Sequence, residues 1–129
     1  MGSSAKVLLV DDDPDFVEAI KAILEMKPYE VIVAYDGKEG LEKARRENPD
    51  VIILDVMMPP PDGYAVCSEL KRDPNYKKIP IILLTAVMQT LPHTLYTIDM
   101  GLRTEADDYI DKPVEPAELM QRVEALIAG

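Results

Sequence analysis

The chain has 129 residues, 47% of them apolar, and 24 acidic against 14 basic side chains give a net charge of −10. That length builds one core rather than two, and the apolar share fits a globular chain rather than a disordered one. The acidic excess argues against direct nucleic-acid binding, which rests on Lys and Arg neutralising phosphates. No apolar run approaches the ~18 residues of a membrane span, and the one cysteine, Cys67, can form no internal disulfide, which fits a reducing cytoplasm.

The opening "MGSSA" is short and polar, so Met1–Ser4 reads as a cloning remnant and residues 5–129 as a single domain. A first strand is predicted over Lys6–Val10. Asp13 followed by Pro14 has the form of an N-cap with proline at the first helical position, and the helix predicted over Pro14–Met26 repeats apolar residues at Phe16, Ile20, Ile23 and Leu24. A strand over Glu30–Ala34 leads to a helix over Gly37–Glu47 that stops before Asn48-Pro49. Val51–Leu54 is the third strand and Gly63–Arg72 the third helix. Ile81–Thr85 is the fourth strand. After it, Leu91, Leu95 and Ile98 suggest a helix at about His93–Met100, with Pro92 just ahead of it. Asp108–Asp111 is the fifth strand and Pro116–Ala128 the last helix. The first, third and fourth strands are nearly unbroken Val, Ile and Leu, as strands buried on both faces are. Five β-α alternations call for a parallel sheet with right-handed crossovers, hence a three-layer α/β sandwich with five helices.

In such a sheet the functional crevice lies beyond the carboxyl ends of the strands. The first strand there runs into Asp11, Asp12 and Asp13, the third into Asp55, the fourth into Thr85-Ala86 and the fifth into Lys112-Pro113. Carboxylates brought that close cannot all stay ionised unless a cation joins them or a pKa rises. Hard oxygen donors suit Mg²⁺, and the absence of a Cys/His cluster argues against zinc. A divalent ion, a lysine and a threonine hydroxyl around one carboxylate are equipped to stabilise a phosphoryl group, with that carboxylate as the nucleophile.

The segments "VLLVDDDPD", "VIILDVMMPPPDGYAV", "IILLTA" and "YIDKPVEP" together resemble a response-regulator receiver domain of the chemotaxis-regulator type, over about Lys6 to Ala128. The resemblance implies a flavodoxin-like sheet of order 2-1-3-4-5. It implies Asp55 as phosphoacceptor, and Mg²⁺ held by Asp11, Asp12, Asp55 and the backbone carbonyl of Met57. Thr85 and Lys112 would hold phosphoryl oxygens, Ala86 would leave access to them, and Lys112–Pro113 would be cis. Tyr109 would be an aromatic switch that turns inward when Thr85 moves, changing the surface of the fourth helix, fifth strand and last helix. The implied partners are a sensor histidine kinase or phosphotransfer protein and a downstream target or covalently linked output domain. A homodimer through the fourth-helix face is left open. The resemblance implies a signalling phosphoacceptor rather than an enzyme.

Two departures from the family pattern stand out. Pro60 in "PPPDG" occupies a position that often holds glycine, and proline cannot adopt the positive φ that glycine permits there. The stretch from Thr85 to Lys112 is also longer than usual, with the extra residues in "MQTLPHT" or "GLRTEADDY". Asp13 is read as a helix cap rather than a further metal ligand, His93 as an exposed loop residue, and Met58 as core filler. Met57 and Val87 would border the site without orienting water, which implies slow loss of the phosphoryl group. Tyr29, Tyr35, Tyr64, Tyr76 and Tyr96 carry no functional signal. A Mg²⁺-dependent phosphatase is the competing reading, but it needs a second carboxylate where Met57 stands. A phosphorylation-independent interaction module would have no use for the acidic set with Thr85 and Lys112.

Overall fold

The computed structural model describes residues 5–85 and 106–129. Its strands are β1 (Ala5–Val10), β2 (Tyr29–Ala34), β3 (Val51–Asp55), β4 (Ile81–Thr85) and β5 (Asp108–Asp111). They form one parallel sheet in the order β2-β1-β3-β4-β5. The helices are α1 (Pro14–Leu24), α2 (Gly37–Glu47), α3 (Gly63–Arg72) and α4 (Pro116–Ala128).

The expectation of five helices is corrected: the described residues hold four. The segment at about His93–Met100, on which the fifth rested, lies outside the described residues, as do Met1–Ser4, Ala86, Val87 and most of the lengthened stretch. In the sequence its apolar repeat is Leu91, Leu95 and Ile98, with Pro92 near the start. Among the described residues, no helix is long and apolar enough to cross a membrane.

The unbroken apolar strands divide by parity, because successive side chains point to opposite faces. Leu8, Val10, Ile52, Leu54, Ile81 and Leu83 pack on one side with Leu41 and Ala44 of α2 and Val66, Cys67 and Leu70 of α3. Val7, Leu9, Val51, Ile53, Ile82 and Leu84 pack on the other with Val17, Ile20 and Leu24 of α1 and Leu119 and Val123 of α4. Each buried Leu or Ile contributes about 1.5–3 kcal/mol, so the three central strands anchor the sandwich.

Three of the four described helices, all but α4, start at a capping aspartate. Asp13 accepts from the amides of Asp15 and Phe16, Asp36 from that of Glu39, and Asp62 from that of Ala65. Asn48 ends α2 in the left-handed region at φ 53°, where asparagine is tolerated better than most residues. Helix α1 stops at Leu24 rather than Met26, because the Met26 amide turns back to the Ile23 carbonyl in a tight turn that leaves its side chain exposed.

Between β3 and α3 the chain passes Pro60 without a positive-φ residue, through a cis Pro60–Pro61 bond. Gly63 then lies against the end of β3: a Cβ there would stand 2.2 Å from the Asp55 carbonyl oxygen and 2.6 Å from the Val56 Cα. Backbone cannot yield as a side-chain tip does, so Gly63→Ala is expected to lower stability by about 1–3 kcal/mol in urea unfolding. An unchanged midpoint would show that α3 does not press on β3 here.

Candidate functional site

The carboxyl ends of β1, β3, β4 and β5 carry the site. Asp11 follows β1 and is fully buried. Its amide donates to the Ala34 carbonyl (3.1 Å), which ties it to the end of β2. Its Oδ1 accepts from the Asp13 amide (3.0 Å) and its Oδ2 from Lys112 Nζ (3.1 Å). Asp55 ends β3 at 2% exposure, while Asp12 faces solvent. One oxygen of each of Asp11, Asp12 and Asp55 lies within 4.8 Å of the others.

Lys112 stands between the two buried carboxylates, 3.2 Å from Asp55 Oδ1 as well as 3.1 Å from Asp11 Oδ2. Asp55 Oδ1 is thus paired electrostatically with that ammonium, yet no hydrogen bond to it is formed. Among the described residues it is the one buried side-chain polar atom left in that condition. Such an atom needs a physical explanation, and a site suited to a cation is a sufficient one. Three carboxylates with one ammonium leave two negative charges over, all on hard oxygen, which suits a divalent ion of the Mg²⁺ type.

Burial is the first cause that pushes the Asp55 carboxyl above its ordinary 3.8 to about 6; the Asp11 charge adds to it, while Lys112 and the Met57 amide pull the other way. Burial by itself would lower Lys112, but the Asp55 and Asp11 charges outweigh it and hold the ammonium above its ordinary value.

Thr85 closes β4 almost fully buried, and its carbonyl accepts the Lys112 amide (2.8 Å), locking the ends of β4 and β5 together. Its side chain is hydrogen-bonded to the phenol of Tyr64. Tyr109 on β5 is 40% exposed, and its phenol feels burial first and then the neighbouring Cys67 and Tyr64. Met57 is half exposed in the loop after Asp55, and Met58 is buried. The Lys112–Pro113 bond is cis.

The predicted residues Asp11, Asp12, Asp55 and Lys112 therefore meet, with Thr85 at the adjoining strand end and Tyr109 one strand further out. Asp13 serves as a helix cap. His93, Ala86 and Val87 lie outside the described residues. Two residues escaped sequence reasoning. Tyr64 reaches Thr85 from α3, and the ring of Phe16 lies 4.5 Å from Lys112 Nζ. Tyr64 lies within one of the quoted segments but was given no role, Phe16 lies just beyond another, and both contacts join separate elements of the chain.

Residues 7–124 match the family described as response regulator receiver domain. The chain belongs to that family and is a receiver domain of two-component signalling, with an acidic cluster consistent with Mg²⁺-dependent aspartate phosphorylation by a partner kinase. It is 42% identical over 122 residues to the alkaline phosphatase synthesis transcriptional regulatory protein PhoP of Bacillus subtilis, a match covering 95% of this chain and 48% of that protein. The chain thus spans about half the length of such curated relatives. Among solved structures, the signal receiver domain of a signal transduction histidine kinase from Syntrophus aciditrophicus superposes with a TM-score of 0.89 at 36% identity, covering 98% of this chain and 92% of that one. The receiver domain of a sensor histidine kinase from Pseudomonas aeruginosa, with a magnesium ion coordinated in its active-site cleft, gives 0.84 at 30% identity, covering 98% and 99%.

The raised Asp55 pKa has a stability consequence. Between about pH 4 and 6 the folded chain holds a proton that the unfolded chain has lost, so ionising Asp55 costs stability as pH rises through that window. Above pH 6 the full cost is about 3 kcal/mol. In EDTA at pH 7, Asp55→Asn is expected to be more stable than the wild type by about 2–3 kcal/mol in urea unfolding, with the gap closing towards pH 4. Millimolar Mg²⁺ should narrow the gap by stabilising only the wild type. A gap independent of pH would contradict this electrostatic account.

Proposed function

We propose that Asp55 is the phosphoacceptor of this receiver domain and takes a phosphoryl group from a phosphohistidine on a partner kinase or phosphotransfer protein. The observation that carries the reading is Asp55 Oδ1 itself, buried, without a hydrogen-bond donor, and 3.2 Å from a Lys112 ammonium that it shares with Asp11. A carboxylate oxygen so placed is oriented and desolvated, as a nucleophile should be.

Asp11, Asp12, Asp55 and the Met57 backbone carbonyl would hold Mg²⁺. When bound, that ion neutralises charge on the phosphoryl oxygens as the group transfers. In the transfer the histidine N–P bond breaks, an Asp55 O–P bond forms, and the freed imidazole takes up a proton. Lys112 leaves its contact with Asp55 Oδ1 to pair with a phosphoryl oxygen, remaining within reach of Asp11. Thr85 turns its hydroxyl from Tyr64 to another phosphoryl oxygen. The added charge draws these groups inward and biases Tyr109 on the β5 edge towards burial, altering the surface that a downstream target or linked output domain reads. The fit of this chain to receiver domains of histidine kinases supports a kinase or phosphotransfer partner. The single buried Cys67 suits a reducing cytoplasm.

Incubation with acetyl phosphate and Mg²⁺, followed by intact mass, tests the reading. One phosphoryl group is expected on the wild type, none on Asp55→Ala, and at least tenfold less on Lys112→Ala. Modification of Asp55→Ala at the wild-type rate would remove Asp55 from the role. With Met57 beside the site, the acyl phosphate is expected to last many minutes in Mg²⁺; a lifetime of seconds would contradict that.

A further inference from the structure

We infer that Phe16 is a positioning residue for the phosphotransfer site: its ring holds the Lys112 ammonium where it can serve both Asp55 and the incoming phosphoryl group. The inference rests on the phosphoacceptor reading above and adds to it a residue outside the acidic cluster.

The Lys112 ammonium sits at the end of four rotatable carbons, a side chain that loses much freedom when held in one place. Two of its surroundings are ionic, Asp11 Oδ2 at 3.1 Å and Asp55 Oδ1 at 3.2 Å. Its third is the Phe16 ring, with the nitrogen 4.5 Å from the centroid, inside the range of an attractive cation–π contact. An aromatic face attracts the cation without accepting one of its N–H groups in a strong hydrogen bond. It therefore steadies the ammonium while leaving a donor for a phosphoryl oxygen, which a carboxylate or amide at position 16 would not do. The ring also displaces water from one side of the charge, which strengthens the remaining electrostatic pairs.

The position of that ring is determined locally. Asp13 Oδ1 accepts the Phe16 amide at 3.3 Å and the Asp15 amide at 3.0 Å, fixing the first turn of α1. Phe16 is half-buried against the apolar layer beneath α1 and α4, so its ring is supported from below. The third aspartate after β1 thereby acts on the site through the helix it caps. Asp11 meets Lys112 directly, while Asp13 reaches it through Phe16.

The test measures the rate of phosphorylation by acetyl phosphate in Mg²⁺, followed by intact mass, for wild type, Phe16→Leu and Phe16→Trp. Each substitution is also made in a Lys112→Met background. Leucine retains the apolar packing and removes the aromatic face, so Phe16→Leu is expected to react about three- to tenfold more slowly, with Phe16→Trp at or above the wild-type rate. In the Lys112→Met background the Phe16→Leu change should have no further effect, because its route of action is gone. Urea unfolding of Phe16→Leu separates a loss of fold from a loss of rate, and its midpoint is expected near that of the wild type. A wild-type rate for Phe16→Leu, or an equal slowing with and without Lys112, would overturn the inference. Failure of the wild type to gain a phosphoryl group would instead overturn the phosphoacceptor reading beneath it.

Discussion

Two buried carboxylates share one ammonium at the rim of the sheet, and the rest of the structure is organised around that arrangement. Asp11 and Asp55 lie at the ends of neighbouring strands, both almost without solvent, with Lys112 about 3 Å from each. Like charges in such surroundings repel, and one lysine cannot neutralise both together with Asp12. The deficit is visible as a raised Asp55 pKa and an oxygen with no hydrogen-bond donor. The chain tolerates this because the cost makes the site receptive to a cation and, in the proposed reaction, to a phosphoryl group.

The fold makes the arrangement stable by separating the work of the core from that of the rim. Val7–Val10, Val51–Leu54 and Ile81–Leu84 are entirely buried, so the strands are anchored up to the residue before each functional side chain. The parallel register then brings the ends into line: Val10 lies opposite Leu54, Asp55 opposite Leu84, and Thr85 opposite Asp111. The Lys112 amide bonded to the Thr85 carbonyl extends that alignment one residue past the sheet. Far from the rim, Lys71 fixes the opposite end of the same strands. Its buried ammonium reaches the Ile79 carbonyl and the Asp107 carboxylate, and Asp107 in turn accepts the Ile81 amide.

Sequence patterning made the sheet and most of the acidic site legible. Unbroken Val-Ile-Leu runs have few options other than central strands, and polar residues immediately after them must emerge at the strand ends. The three aspartates after β1 divided correctly because Asp13 precedes a proline, which marks a helix start, whereas Asp11 and Asp12 do not. The helix count did not carry over to the described residues, which hold four helices, because one of the five rested on a segment that lies outside them. Phe16 and Tyr64 were illegible for a different reason. Each looks like an ordinary aromatic on a helix, and its significance depends on which side chain of another element it faces. Local pattern holds no such information. The contacts of Phe16 with Lys112 and of Tyr64 with Thr85 exist only once the sandwich has closed.

In the proposed reaction, acidic side chains from separate loops gather around a divalent cation so that Asp55 can carry an acyl phosphate. A crystal grown with Mg²⁺ and a beryllofluoride mimic tests it most directly. The account predicts an ion bound by Asp11, Asp12 and Asp55, a fluoride adduct on the Asp55 carboxylate, and Lys112 and Thr85 turned towards its fluorines. Absence of density beside Asp55, with Asp11 and Asp12 directed away from one another, would contradict it.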